Sequence, residues 1–319
     1  MIPTEWLTQA IERISPFITR TPITFDDKLG IYLKWENHQL TGSFKARGAF
    51  NKALSLQPWE SKRGLVAASA GNHGQGVALA GKRLGIPVTI FCSENAVPVK
   101  ITAMRSLGAT LHLVPGGYGE AEQAGLDYSK QGGGIWISPY NDGQVIAGQA
   151  TIGFEIQEDL PEMNQCTWLV PASGGGLISG IGVSLNQINS QVRLVGVQAE
   201  ASPFLHNLFF LGTQDGVQDL PSLADGLTGP VEEGSLTIPI VKHFVDDFIL
   251  VSEDEIGYAI AYAWKNYHEK IEGSAAVALG AVLSGCISTR PVIVIISGGN
   301  IQDETFQKII NRHRETSCE

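Results

Sequence analysis

The sequence predicts an α/β protein built on two open, parallel-type sheets with flanking helices. Three observations carry this expectation. Short runs rich in β-branched residues alternate with longer amphipathic stretches, as strands alternate with crossover helices. The last strand candidate, Val292–Ser297, is apolar up to its terminal serine, as a strand covered on both faces must be. Some of the runs end in glycine-rich turns that lead straight into helical patterning.

In chain order the candidate strands are Ile31–Trp35, Leu65–Ser69, Val88–Cys92, Thr110–Val114, Thr167–Pro171, Arg193–Gln198, Phe248–Val251 and Val292–Ser297. Leu65–Ser69 runs into Ala70-Gly71-Asn72-His73-Gly74, and Val88–Cys92 into a helix starting near Val97. Ser252-Glu253-Asp254-Glu255 forms a capping box, and the helix it opens repeats Ile256, Ile260, Trp264 and Tyr267 at helical spacing. No repeat of solenoid length is visible. Leu54–Gly64, with Pro58 and the mixed charges Glu60, Lys62 and Arg63, is one boundary candidate, and the Gly/Pro/Asn/Asp-rich stretch Gly132–Asp142 is another. Together they fence off a small domain, 55–142, inserted in a large one made of 1–54 and 143–319.

Composition excludes several classes. With 319 residues, 43% of them apolar and 17% charged, the chain is not disordered, and its 37 glycines cluster in short loops. A net charge of −10 without a basic run argues against a nucleic-acid or anionic-membrane partner. Apolar runs such as Pro291–Ile296 fall far short of the ~20 residues of a membrane helix. Met1–Thr8 lacks the layout of a signal peptide, so the expected location is the cytoplasm. Cys92, Cys166, Cys286 and Cys318 are far apart, which suggests neither a disulfide framework nor a cysteine-rich zinc site.

Three segments carry chemistry. In Thr41-Gly42-Ser43-Phe44-Lys45-Ala46-Arg47-Gly48-Ala49 a lysine falls in the first turn of a helix. The positive end of the helix dipole favours a neutral amine there, and such an amine can form a Schiff base with a carbonyl. Most lysines are solvated surface charges, so spacing alone leaves Lys45 open between the two. In Ser69-Ala70-Gly71-Asn72-His73-Gly74-Gln75-Gly76 a strand end and a helix start create a turn of free N–H groups suited to a carboxylate or phosphate. In Pro171-Ala172-Ser173-Gly174-Gly175-Gly176-Leu177 three glycines let backbone amides approach an anion without obstruction. Other patterns fail. Gly76–Lys82 imitates a Walker A loop, but Arg83 stands where a hydroxyl is required and the glycines lie in a helical stretch, so a nucleotide site is not expected. Histidines 38, 112, 206, 243, 268 and 313 are scattered and are taken as structural or surface residues.

In this order the segments resemble the fold-type II pyridoxal-phosphate enzymes, related in fold to the tryptophan synthase β-subunit, and within them the serine/threonine dehydratase and serine racemase branch. The resemblance rests on SFKARGA at 43–49, SAGNHGQG at 69–76, SGGGL at 173–177, Ala224-Asp225-Gly226, Glu272-Gly273-Ser274-Ala275 and Ser297-Gly298-Gly299-Asn300. It implies pyridoxal 5′-phosphate held as a Schiff base by Lys45, with Lys45 also moving the α-proton and Phe44 lying against the ring. It implies that Asn72 bonds the ring's 3-oxygen, and that Ser69, Ala70, Gly71, Asn72, His73 and Tyr140 surround the substrate. Ser173, Gly174, Gly175, Gly176 and Leu177 would cradle the phosphate, Gly226 would line the cofactor site, and Ser297 would meet the pyridine nitrogen. The implied reaction is β-elimination of L-threonine and/or L-serine to 2-oxobutanoate or pyruvate plus ammonia, by a homodimer.

Departures from the family pattern select among branches. The second serine that racemases of this family carry before the Gly-Asn pair is Ala70 here, with no proton to give. Ser138-Pro139-Tyr140 is nearer the dehydratase form of its loop than the racemase form. Gln198 and Phe204 occupy the positions of racemase metal ligands, so no divalent metal is expected, while a monovalent cation is left open. The sequence runs only to Glu319, so isoleucine feedback through an added C-terminal domain is not expected. The alternatives are a serine or hydroxyaspartate racemase–dehydratase, and a non-catalytic pyridoxal-phosphate or amino-acid binding protein.

Overall fold

A computed structural model of the chain describes residues 2–188 and 190–315. Its strands are β1 (Ile23–Asp26), β2 (Ile31–Trp35), β3 (Leu65–Ala68), β4 (Val88–Ser93), β5 (Thr110–Val114), β6 (Ile135–Trp136), β7 (Thr167–Pro171), β8 (Arg193–Ala199), β9 (Asp247–Val251) and β10 (Val292–Ile296). One sheet of six strands runs β1-β2-β10-β7-β8-β9, and a second of four runs β5-β4-β3-β6. Every pairing is parallel except that of β1 with β2. The sequence expectation thus places eight of these strands and omits β1 and β6. Ser69 and Ser297, expected inside strands, leave their sheets and form the turns that follow.

Burial explains the patterning. All five residues of β10 are buried. Val292, Val294 and Ile296 join one apolar cluster with the helices Glu253–Tyr267 and Gly273–Leu283. Ile293 and Ile295 join another with the helix Gly176–Gln187. Each such side chain contributes roughly 1.5–3 kcal/mol on leaving water, so the central strand is held from both faces. The smaller sheet buries Leu65, Ala67 and Ile90 against Ala46, Ala49 and Phe50 of the helix Lys45–Ser55 and against Val77 of Asn72–Leu84. The helix expected near Val97 spans Pro98–Ser106, and Ser252 caps Glu253–Tyr267 with Glu255 in return. Cys92, Cys166 and Cys286 are free, and Cys318 lies outside the described residues.

The helix Lys45–Ser55 is also tied to the larger sheet by buried charge. Arg47 Nε and Nη2 grip the two carboxylate oxygens of Glu36, each at 2.8 Å. Its Nη1 reaches Glu155 at 2.6 Å, and Lys34 Nζ reaches the other Glu155 oxygen at 2.7 Å. Arg47, Lys34 and Glu36 are fully buried, so two cations and two anions balance inside the protein. Burial disfavours the Glu155 carboxylate, yet Arg47 and Lys34 hold its carboxyl below the usual range. Removing one member leaves an uncompensated buried charge. Arg47→Ala is therefore expected to lower unfolding stability by about 3–5 kcal/mol, measured by urea titration, whereas exposed Arg312→Ala should change it by less than ~1 kcal/mol.

Candidate active site

Parallel sheets gather their ligands at the carboxyl ends of the strands, and here the ends of β3, β7 and β10 supply the candidate residues. Beyond β7, Gly175 has φ of +85°, a left-handed conformation that favours glycine. A Cβ on Gly174 would stand 2.4 Å from the Tyr140 ring, so Tyr140 packs directly on this turn. Thr237 Oγ1 donates to the Gly174 carbonyl at 2.6 Å. No side chain caps the helix Gly176–Gln187, which leaves its first N–H groups to an outside acceptor. Ser173 stands at the head of this turn and Leu177 follows as the second helical residue.

Beyond β3, Gly71 N–H donates to Ser69 Oγ at 3.0 Å. A Cβ on Gly71 would meet nothing within 4 Å, so the Ser69–His73 turn faces open space, with Ala70 in it offering only a methyl. His73 is buried and its Nε2 donates to the Ile137 carbonyl at 2.8 Å. Burial and the nearby Lys45 push its imidazole down to about 3, so it is neutral at ordinary pH. A Cβ on Gly76 would lie 3.2 Å from the backbone of Lys45; its absence lets the two helices touch.

Lys45 is the first residue of its helix, behind the strained turn of Thr41 (φ 63°) and Gly42. Its Nζ donates to the Pro139 carbonyl at 2.9 Å and stands 5.1 Å from the Phe44 ring centroid. Burial pushes the ammonium down to about 8, against the opposing pull of Glu272. The segment Ser138-Pro139-Tyr140 thus touches both the amine and the glycine turn. Tyr140 lies against Gly174 and Gly176, and its hydroxyl accepts from Glu232 N–H at 2.9 Å. Burial pushes this phenol up to about 12.

Ser297 follows β10, is 4% exposed, and accepts from Phe44 N–H through its carbonyl at 3.1 Å. Gly226 N–H donates to Ser274 Oγ at 3.0 Å, and its neighbour Asp225 lies 3.4 Å from Lys100. Asn72 has neighbours that sequence reasoning did not foresee. Its Nδ2 donates to Glu272 Oε1 and its Oδ1 accepts from Asn300 Nδ2, both at 2.7 Å. Sequence reasoning noted the segments holding Glu272 and Asn300 but gave neither residue a role; the signal was a glutamate placed just before an otherwise apolar helix.

A family model described as pyridoxal-phosphate dependent enzyme matches residues 14–298. An L-threonine ammonia-lyase of Thermotoga maritima is 42% identical over 98% of this chain and 79% of its own length. A catabolic L-threonine dehydratase of Staphylococcus aureus is 39% identical over 92% of this chain and 88% of its own. Among solved structures, maize serine racemase matches with a TM-score of 0.87 and 29% identity, covering 99% of this chain and 98% of that one. Threonine deaminase isoform 2 of Solanum lycopersicum matches at 0.86 and 30%, covering 97% and 94%.

The electrostatics of Lys45 are testable without any ligand. In competitive amine labelling followed by peptide mass spectrometry, reactivity of Lys45 should rise through a midpoint of about 8, while exposed lysines follow an ordinary midpoint of about 10.4.

Proposed function

The chain belongs to the family of pyridoxal-phosphate dependent enzymes, and on that premise we propose how its site residues divide the work. It is an ammonia-lyase of the threonine and serine dehydratase kind, with pyridoxal 5′-phosphate as cofactor. It converts L-threonine and/or L-serine to 2-oxobutanoate or pyruvate, with ammonia released.

The residues present fit that cofactor. The uncapped glycine turn offers N–H groups to a phosphate, and Lys45 offers an amine that burial makes easier to deprotonate. Thr41 and Ser43, in the turn leading to Lys45, bury hydroxyls that have no protein partner among the described residues. In this assignment Gly174, Gly175, Gly176 and Leu177 hold the phosphate, with Ser173 and Gly226 beside it. Phe44 would lie along the ring, Asn72 would donate to the 3-oxygen, and Ser297 would give the ring nitrogen a hydroxyl rather than a carboxylate. Bound there, the cofactor supplies an electron sink for the substrate α-carbon.

The chain's own groups do the rest. The Ser69–His73 turn binds the substrate carboxylate through N–H groups and the Ser69 hydroxyl. Lys45 Nζ would take the proton from the α-carbon and the β-hydroxyl would leave as water, the proton gained by Lys45 balancing the one the hydroxyl needs. The positive end of its helix and its partial burial both favour the neutral amine that this transfer needs. The observation that carries the reading is the placement of Lys45 Nζ on the Pro139 carbonyl, next in sequence to the Tyr140 that packs on the glycine turn, and within electrostatic reach of His73. A division into domains 55–142 and 1–54 with 143–319, a homodimeric state and a cytoplasmic location belong to the same proposal.

The likeness to maize serine racemase favours a second reading, in which the α-carbon is also reprotonated from its opposite face. Ala70 has no acidic proton with which to do so, which supports elimination as the main outcome.

The test is to reduce the loaded protein with borohydride, map the adduct, and assay keto acid and ammonia. The adduct is expected on Lys45, and Lys45→Ala should cut turnover by at least about a thousandfold. Release of D-serine from L-serine as the dominant product would overturn elimination in favour of racemisation.

A further inference from the structure

Glu272 is a carboxylic acid without a counter-ion in the middle of the site. It is 8% exposed, and it stands at the start of the helix Gly273–Leu283 without capping it. Among the described residues no cation lies within ion-pairing distance; Lys100, which acts on it from farther away, is paired with Asp225, and Lys45 also feels its charge. The fold makes room for it: a Cβ on Gly298 would lie 2.5 Å from Glu272 Oε1.

Its hydrogen bonds form a directed chain. Asn300 Nδ2 donates both to the Thr41 carbonyl at 2.6 Å and to Asn72 Oδ1 at 2.7 Å. Asn72 Nδ2 then donates to Glu272 Oε1 at 2.7 Å. The two ends of the chain, a backbone carbonyl and an ionised carboxylate, can only accept. Two carboxamides between two pure acceptors have one satisfied arrangement, with both NH2 groups turned toward the acceptors. That arrangement uses one hydrogen of Asn72 Nδ2 and leaves the second without a protein acceptor among the described residues.

We propose that Glu272 is a positioning residue: through the Asn72 carboxamide it determines that a hydrogen-bond donor, not an acceptor, is turned toward the cofactor ring. The proposal rests on the assignment of Asn72 to the ring's 3-oxygen given above. It makes the donor depend on the charge of Glu272, because a protonated carboxyl can also donate and then no longer fixes the amide. Burial, with Asp225 adding to it, pushes the Glu272 carboxyl up to about 7. The Asn72 and Asn300 hydrogen bonds and Lys100 oppose that shift, and Lys45 also faces the group. A raised carboxyl is protonated below its midpoint and charged above it, so the fixed donor is present above neutrality and lost below it. His73, pushed down to about 3, does not titrate in that window.

The experiment is a pH titration of the visible absorbance of cofactor-loaded protein, with cofactor affinity followed by equilibrium dialysis. The unmodified protein should show a spectral step with a midpoint of about 7. Glu272→Gln, whose amide oxygen still accepts from Asn72, should keep the cofactor and lose the step. Glu272→Leu should weaken cofactor binding by roughly tenfold, the loss of one hydrogen bond, and also lose the step. Asn72→Ala should lose it with Glu272 intact, since the link is gone. An undiminished step in Glu272→Gln or in Asn72→Ala would overturn the proposal, the first by removing Glu272 as its source, the second by showing action through space. Were the unmodified protein to form no visible band with the cofactor, the site assignment itself would fall and this proposal with it; a band that forms but does not titrate would sink only the role of Glu272.

Discussion

The rest of the structure depends on the grip of Arg47 on Glu36 and Glu155. Two residues from Lys45, it ties the start of one helix to Glu36, which directly follows β2, and to Glu155, which Lys34 of β2 also holds. Such a cluster is a poor source of net stability, because desolvating four charged groups costs about as much as their attraction returns. Its contribution is geometric. Guanidinium and carboxylate meet in a planar fork with one good arrangement, so Lys45 enters the site at a set depth and rotation. Apolar packing of the same helix would tolerate a slide of a fraction of a turn; the fork does not.

Burial then differentiates groups that would behave alike in water. Lys45 is within electrostatic reach of both His73 and Glu272, and each of the three is displaced toward its neutral form. In the proposed assignment, an anionic cofactor and an amino-acid carboxylate are taken up through backbone N–H dipoles rather than fixed cations. Dipoles hold an anion without competing for its protons, and the amine stays available for proton transfer. The acidic overall charge of the chain, −10, is compatible with this because the anion sites do not rely on net charge.

Much of this was legible in the sequence, and the limits have physical causes. The buried parallel strands announce themselves because both faces are apolar: β10 has no polar residue to break the run. β1 and β6 do not. β1 is a four-residue edge strand, with no residue in the buried class, and β6 has two residues after a glycine run, too few for any period to show. The glycine turn was readable because the left-handed backbone at Gly175 demands glycine locally, and the helix start at Lys45 because its signal is local as well. The pairing of Asn72 with Glu272 spans 200 residues, and Asn300 lies 228 from Asn72, so no spacing rule could join them. A glutamate before a helix ordinarily reads as a favourable dipole partner, which conceals one held for its acceptor. Tyr140, which the resemblance places at the substrate, packs on the glycine turn, where Gly174 and Gly176 leave space for its ring.

The missing side chain at Gly76 has a consequence beyond close packing. With nothing between them, the helix bearing the Ser69–His73 turn and the helix bearing Lys45 are backed onto each other, and the second is bolted to the larger sheet by Arg47. A side chain at position 76 would push the two backbones apart by a few tenths of an ångström, and that shift would reach Lys45 directly.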